Sequence, residues 1–205
     1  NDAPVAVDDS EALTEDPGLT NITVLNDDTD ADGDTLSVTA VSTTGTGTVA
    51  VNADGVTIDY TPALNFNGTE TITYTVSDGV LTDTGTLTIT VAAVNDAPVV
   101  VNDTATTDDN TTLSGILLLD DDSDVDGDTL SLTAITNPTS GTITVVGNTV
   151  TYAPVANNGA STEVLTYTVS DGTTTSTGTL TITVTADNDA PVAVDDSEAL
   201  TEDPG

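Results

Sequence analysis

Five aspartates in eight residues, DDTDADGD from Asp27 to Asp34, recur as DDSDVDGD from Asp121 to Asp128, in a chain with no Lys, Arg or His. The chemistry open to such a run is cation binding. Two like charges about 4 Å apart repel by ~4 kcal/mol at an effective dielectric near ~20, and no basic side chain exists to offset them. The counter-charge must come from solution, and carboxylate oxygens favour a hard cation. Calcium takes about six to eight oxygen ligands in irregular loops, whereas magnesium demands octahedral geometry and keeps its waters. In Asp28-x-Asp30-x-Asp32-Gly33 and Asp122-x-Asp124-x-Asp126-Gly127, alternate carboxylates can converge on one ion while glycine permits a sharp turn. Asp34 and Asp128 continue the alternation. The match is to the first half of an EF-hand loop only. The place of its bidentate Glu holds Thr39 or Thr133, and the following residues alternate like a strand. A calcium-type loop in a β context is therefore expected; a solvated acidic turn is the alternative.

Composition removes other functions. A net charge of −35 with no basic residue excludes nucleic acid as a partner and disfavours anionic membranes. Without Cys and His there is no ordinary zinc site, and without His, Cys or Lys no familiar activated nucleophile. A carboxylate pair could still act as acid and base, but these aspartates are crowded in loops, so no enzyme is expected. No apolar run approaches the ~20 residues of a membrane-spanning helix.

The elements that must position the loops are strands, and they come in repeats. NDAPV occurs at Asn1, Asn95 and Asn188, YTVSDG at Tyr74 and Tyr167, and TGTLTITV at Thr84 and Thr177. Two modules follow, 1–94 and 95–187. Residues 188–205 are identical to 1–18 at all 18 positions, whereas 95–112 match 1–18 at 7 of 18. The segment 188–205 thus reads as the start of the next repeat in a long tandem array of unlike module pairs. Inside each module the hydrophobic period is two, as in Leu36/Val38/Ala40, Ile72/Tyr74/Val76 and Leu87/Ile89/Val91, and again in Leu130/Leu132/Ala134, Leu165/Tyr167/Val169 and Leu180/Ile182/Val184. Thr fills the wet face, where β-branching suits a strand. This regularity argues against a disordered acidic tail. The fold class predicted is all-β, two tandem Ig-like/cadherin-like antiparallel sandwiches of about seven strands each, end to end.

DTDADGDTLSVTAV resembles the "TDADSG" stretch of cadherin repeats, and YTVSDGVLTDTGTLTITVAAVNDAPV resembles the end of a cadherin repeat leading into "DVNDNAP". The chain is more similar still to bacterial cadherin-like repeats of giant surface adhesins and secreted repeat proteins. The resemblance covers essentially the whole sequence. It implies a sandwich with calcium at the junctions between repeats. By that resemblance Asp30 with Asp32, and Asp124 with Asp126, match the paired aspartates of the DxD motif. Asn95 with Asp96, and Asn188 with Asp189, match the linker; Asp78 and Asp171 match the aspartate at a strand end. Glu15, Asp109 and Glu202 fall where cadherins place an early-strand glutamate. Ala93 and Ala186 replace the first linker aspartate and no DRE motif appears, which argues for one or two ions per junction.

The function expected is a calcium-stiffened extracellular spacer of a tandem-repeat surface adhesin, secreted or at a bacterial cell surface, contacting neighbouring repeats of its own chain. The alternative is a building block of a self-assembling filament or biofilm matrix fibre, contacting identical chains. A sugar-binding module is a third reading, weakened by the scarcity of aromatics: one Phe and four Tyr. Sequons at Asn21, Asn67, Asn102 and Asn110 are of the kind chance produces in a chain rich in Asn and Thr.

Overall fold

The computed structural model describes residues 1–188, 191 and 193–197. The chain divides into two compact units, Asn1–Asn95 and Asp96–Gly205, called modules one and two below. Among the described residues all regular structure is strand.

Module one holds seven strands: β1 (Asp9–Thr14), β2 (Thr20–Thr23), β3 (Ser37–Thr43), β4 (Thr48–Val51), β5 (Thr57–Thr61), β6 (Gly68–Ser77) and β7 (Thr82–Ala92). They form one sheet in the order β1-β7-β6-β3 and a second in the order β2-β5-β4. Module two repeats this with β8 (Asp103–Asp108), β9 (Leu113–Leu117), β10 (Ser131–Ile135), β11 (Thr142–Val146), β12 (Thr149–Ala153), β13 (Ser161–Ser170) and β14 (Thr175–Thr185). Its sheets run β10-β13-β14-β8 and β11-β12-β9. Most pairs are antiparallel, but β1 lies parallel to β7 and β8 parallel to β14. The first strand of each module thus runs alongside the last.

The period of two puts one row of each strand inside. Ile72, Tyr74 and Val76 of β6 and Leu87 and Ile89 of β7 are fully buried, and Leu165, Tyr167 and Val169 with Leu180 and Ile182 repeat them in module two. Burying such side chains contributes roughly 1.5–3 kcal/mol each. The alternation expected of β3 and β10 breaks. A bulge between Val38 and Ala40, and another between Leu132 and Ala134, inserts one residue. Ala40 and Ala134 turn outward and Val41 and Ile135 take the inner place, because an extra residue reverses the phase of everything after it.

Candidate metal centre

The two acidic loops are built alike, and each is pinned to the segment that opens its module. Val5 and Thr29 exchange backbone hydrogen bonds at 2.8 and 3.1 Å, and Val99 and Ser123 do so at 2.8 and 3.0 Å. Asp28 Oδ1 accepts the Val7 N–H at 2.7 Å, and Asp122 Oδ1 the Val101 N–H at 2.9 Å. Asp32 Oδ2 accepts the Asp2 N–H at 2.7 Å, and Asp126 Oδ2 the Asp96 N–H at 2.8 Å. The turn is closed from within. Asp30 Oδ1 accepts the N–H groups of Asp32 and Asp34 at 2.9 and 3.1 Å, and Asp124 Oδ1 those of Asp126 and Asp128 at 2.9 and 3.4 Å. Gly33 and Gly127 each sit at φ 78°, in the left-handed region that only glycine enters freely.

Those bonds occupy one oxygen of each anchoring carboxylate. The other, Oδ2 of Asp28, Asp30, Asp122 and Asp124, is enclosed and has no hydrogen-bond partner among the described residues. An enclosed anionic oxygen without a partner carries a desolvation penalty. Burial accordingly raises the carboxyl pKa of Asp28 and Asp122 above the ordinary 3.8, outweighing the backbone bond each accepts, and the neighbouring Asp27 and Asp121 push the same way. One carboxylate oxygen from each of Asp30, Asp32 and Asp34 lies within 4.8 Å of the others, and the same holds for Asp124, Asp126 and Asp128. An all-oxygen donor set, converging and partly desolvated, fits a hard divalent cation.

Two tyrosines hold the anchoring segment in place. The buried Tyr74 hydroxyl lies 2.5 Å from the Val7 carbonyl and 2.8 Å from Asp9 Oδ2. Tyr167 lies 2.7 Å from both the Val101 carbonyl and Asp103 Oδ2. Desolvation raises Asp9 and Asp103, against the lowering effect of the tyrosine bond. Glycine makes room for each ring: a Cβ on Gly85 would lie 2.5 Å from the Tyr74 ring, and one on Gly178 2.6 Å from that of Tyr167. Neither tyrosine was among the predicted site residues. The signal was their placement inside YTVSDG, on the inner row of a strand.

The other predicted residues divide between the two ends of each module. Asp78 caps the β6–β7 turn, with Oδ1 accepting the N–H groups of Val80 and Leu81 at 2.6 and 2.7 Å, and its Oδ2 accepts Asn1 Nδ2 at 2.7 Å. It thus shares an end of module one with Asp32. Asp171 caps the matching turn through Thr173 and Thr174, both at 2.6 Å, and Thr174 Oγ1 stands 3.5 Å from the Asp96 carbonyl. Glu15 and Asp109 lie at the opposite ends. Because β1 runs parallel to β7, Glu15 emerges beside Val94 and accepts its N–H, leaving Oε2 enclosed without a hydrogen-bond partner among the described residues. Asp109 uses both oxygens, accepting the N–H of Gly159 at 2.9 Å and of Asp187 at 3.0 Å. Strand β7, 11 residues long, spans ~33 Å at ~3.3 Å per residue. Within one module, therefore, Glu15 does not meet Asp30, nor Asp109 meet Asp124. Asn95 is half-buried and closes module one. The Asn188 N–H bonds Asp187 Oδ1 at 2.8 Å, while Asp189 and Glu202 lie outside the described residues.

Comparison with known proteins agrees on the fold. The chain is similar to EC1-2 of human protocadherin-24, with a TM-score of 0.57 at 18% identity over 87% of this chain and 95% of that one. A second crystal form gives 0.50 at 19% identity, with 87% and 94% covered. Similarity to the endo-fucoidan hydrolase MfFcnA4 of glycoside hydrolase family 107 has a TM-score of only 0.40 at 24% identity; it covers 91% of this chain but 29% of that enzyme. No curated protein matches. The bacterial Ig domain family matches the chain twice, over residues 1–90 and 95–183, and the chain belongs to that family.

Proposed function

We propose that the chain is a structural spacer segment of an extracellular, adhesin-like tandem array, stiffened by calcium held at its acidic loops. The observation that carries this reading is the pair of DxDGD loops. Each presents enclosed carboxylate oxygens without a hydrogen-bond partner among the described residues, in a protein that has no cationic side chain to meet them. The tandem bacterial Ig domains support a structural, adhesin-like role, and the likeness to a two-module cadherin fragment supports the tandem sandwich architecture.

Asp28, Asp30, Asp32 and Asp34 would hold the ion in module one, and Asp122, Asp124, Asp126 and Asp128 in module two. Bound calcium supplies positive charge to oxygens that otherwise repel. The chain's own contribution is preorganisation. Asp30 and Asp124 fix the turn through backbone N–H groups, Asp28 and Asp122 tie it to the opening segment, and Tyr74 and Tyr167 hold that segment against the sandwich. Extracellular calcium modules bind at ~10⁻⁴–10⁻³ M, so the sites would fill outside a cell and empty in cytosol.

The test is small-angle scattering and thermal melting of the chain in millimolar calcium, in EDTA, and in magnesium. Extension together with a higher melting temperature, both specific to calcium, supports the reading. Identical scattering and melting in all three conditions would reduce the loops to acidic turns.

A further inference from the structure

The negative charge is not spread evenly. From Thr129 to Thr162 there are 34 consecutive residues without an Asp or Glu, in a chain whose net charge is −35. This run supplies β10, β11 and β12. The remaining strand of that sheet, β9, carries no charge either, so the β11-β12-β9 sheet is neutral throughout. Its counterpart in module one carries Asp59 in β5, bonded to Asn52, and Asp54 in the β4–β5 turn.

The same region is open where module one is closed. In module one β3 packs along β4 at the seam between the sheets; β10 and β11 barely meet. Asn148 closes one end of the gap by accepting the Leu132 N–H at 3.0 Å. Beyond it lies an apolar groove of about 280 Å³ lined by Leu132, Ala134, Ile135, Ile143 and Val145. That volume is below the ~300–1,000 Å³ usual for small-molecule sites, but a groove open along a strand accepts side chains from another strand. Among the described residues nothing pairs with the outer edge of β11. Its sequence, TITVV, has no charge and no proline, and Val145 and Val146 are 39% and 75% exposed. Native edge strands are ordinarily blunted by charge, proline or a bulge; β11 has none of these. Module one's β4 has four residues and no large hydrophobic that is strongly exposed.

We propose that β11 is the edge through which a second copy of this chain pairs, strand to strand across a two-fold axis. The charge map selects that occupant. An anionic copy is repelled wherever carboxylates face one another, since like charges brought together cost several kcal/mol. Only where both faces are neutral can two copies approach. A two-fold operation places β11 antiparallel to itself, so backbone groups left open on each edge bond one another, and the inner rows containing Ile143 and Val145 extend each other over the groove. This contact uses no acidic loop and does not depend on the calcium reading.

Sedimentation of the chain in EDTA at ~0.15 M salt, where screening acts within ~8 Å, tests it. A concentration-dependent dimer is expected between roughly 10 µM and 1 mM. V146D and V145D each weaken the association constant at least about tenfold by setting like charges opposite one another. V146D alters a side chain that is already largely in water, so the fold persists, and melting temperature verifies this. L64D, at an exposed position in module one, leaves the dimer intact. A wild-type chain that stays monomeric throughout the range overturns the proposal, as does a dimer weakened no more by V146D than by L64D.

Discussion

The two modules share one end and differ in the middle. The hydrogen bonds that anchor and close the acidic loop of module one each have a twin in module two, down to the φ of the glycine. Around the buried glutamates the twins part. Glu70 of β6 accepts the Thr46 hydroxyl at 3.0 Å, the Gly47 N–H at 3.1 Å and the Tyr60 hydroxyl at 2.8 Å, besides the Thr46 N–H at 2.5 Å. Among the described residues Glu163 of β13 accepts only from Thr139, through N–H and hydroxyl, both at 2.7 Å, while the Tyr152 hydroxyl donates to the Ser140 carbonyl. One carboxylate thus gathers the β3–β4 loop and a core tyrosine in module one, and this is the module whose seam is closed. A similar division separates Glu15 from Asp109. Asp109 accepts two N–H groups, those of Gly159 and Asp187, where Glu15 accepts that of Val94 and its neighbour Asp16 that of Asn65. The lesson is that the sandwich tolerates different clamps so long as the buried N–H groups find an acceptor, whereas the acidic end was built twice to one plan.

That contrast yields its largest test at the shared end. If the loops are equivalent, calcium stabilises both modules alike, by ~2.7 kcal/mol per site at a hundredfold excess over the dissociation constant. For domains of this size that is a rise of roughly 10–20 °C. Calorimetry with single variants D30N and D124N should remove the gain from one transition each. A gain confined to one module would break the equivalence.

The middle of the modules provides the next effect. E70Q puts an amide NH₂ among groups that all donate, and is expected to cost module one about 1–3 kcal/mol. E163Q keeps one carbonyl oxygen for Thr139 and should cost module two less than half as much. Denaturant melts of the two variants measure this; equal losses would mean that the Tyr60 bond contributes nothing. Smaller again, D109A in EDTA should cost about as much as E15A and D16A together, roughly 2 kcal/mol, since it orphans two N–H groups where each of the others orphans one.

Much of this was legible in the residues. The strands were readable because Leu87, Ile89 and Val91 repeat with period two and all end buried, and the loops because their spacing is unlike anything else in the chain. Glu70 and Glu163 were not singled out, although each lies in phase with the inner row of its strand, which is the signal that a carboxylate points inward. The bulges after Val38 and Leu132 were not legible, since they depend on register with β6 and β13 rather than on local pattern. Nor was the parallel pairing of β1, whose DSEALT has little alternation and is placed by its neighbour β7. Glu15 and Asp109 were singled out by their likeness to an early-strand glutamate, and the direction of β1 and β8 sets each at the opposite end of its module from the DxDGD loop.

The smallest effect is one of pH, and it separates the loops from the glutamate clamp by sign. Burial raises Asp9, Asp28, Asp103 and Asp122 above 3.8. A carboxyl whose folded pKa is raised binds its proton more tightly in the native state, so its penalty is present near neutrality and is relieved as pH falls through the folded value toward 3.8. Glu70 behaves oppositely. Desolvation pushes it up, but the bonds from Tyr60, Thr46 and Gly47 prevail and hold it below 4.5, so its contribution is present above 4.5 and is lost as pH falls through the lowered value. In EDTA, stability should therefore rise on mild acidification and then fall. Relief of the overall charge of −35 also favours a rise, and the double variant D28N/D122N distinguishes the two, because it removes only two charges yet should flatten the rise well beyond that share. With calcium saturating, protons compete with the ion for the same oxygens, and stability should fall from neutrality downward with no maximum. An EDTA profile that falls steadily from pH 7 would mean that the loop oxygens are not desolvated, and the case for a cation there would lose its physical basis.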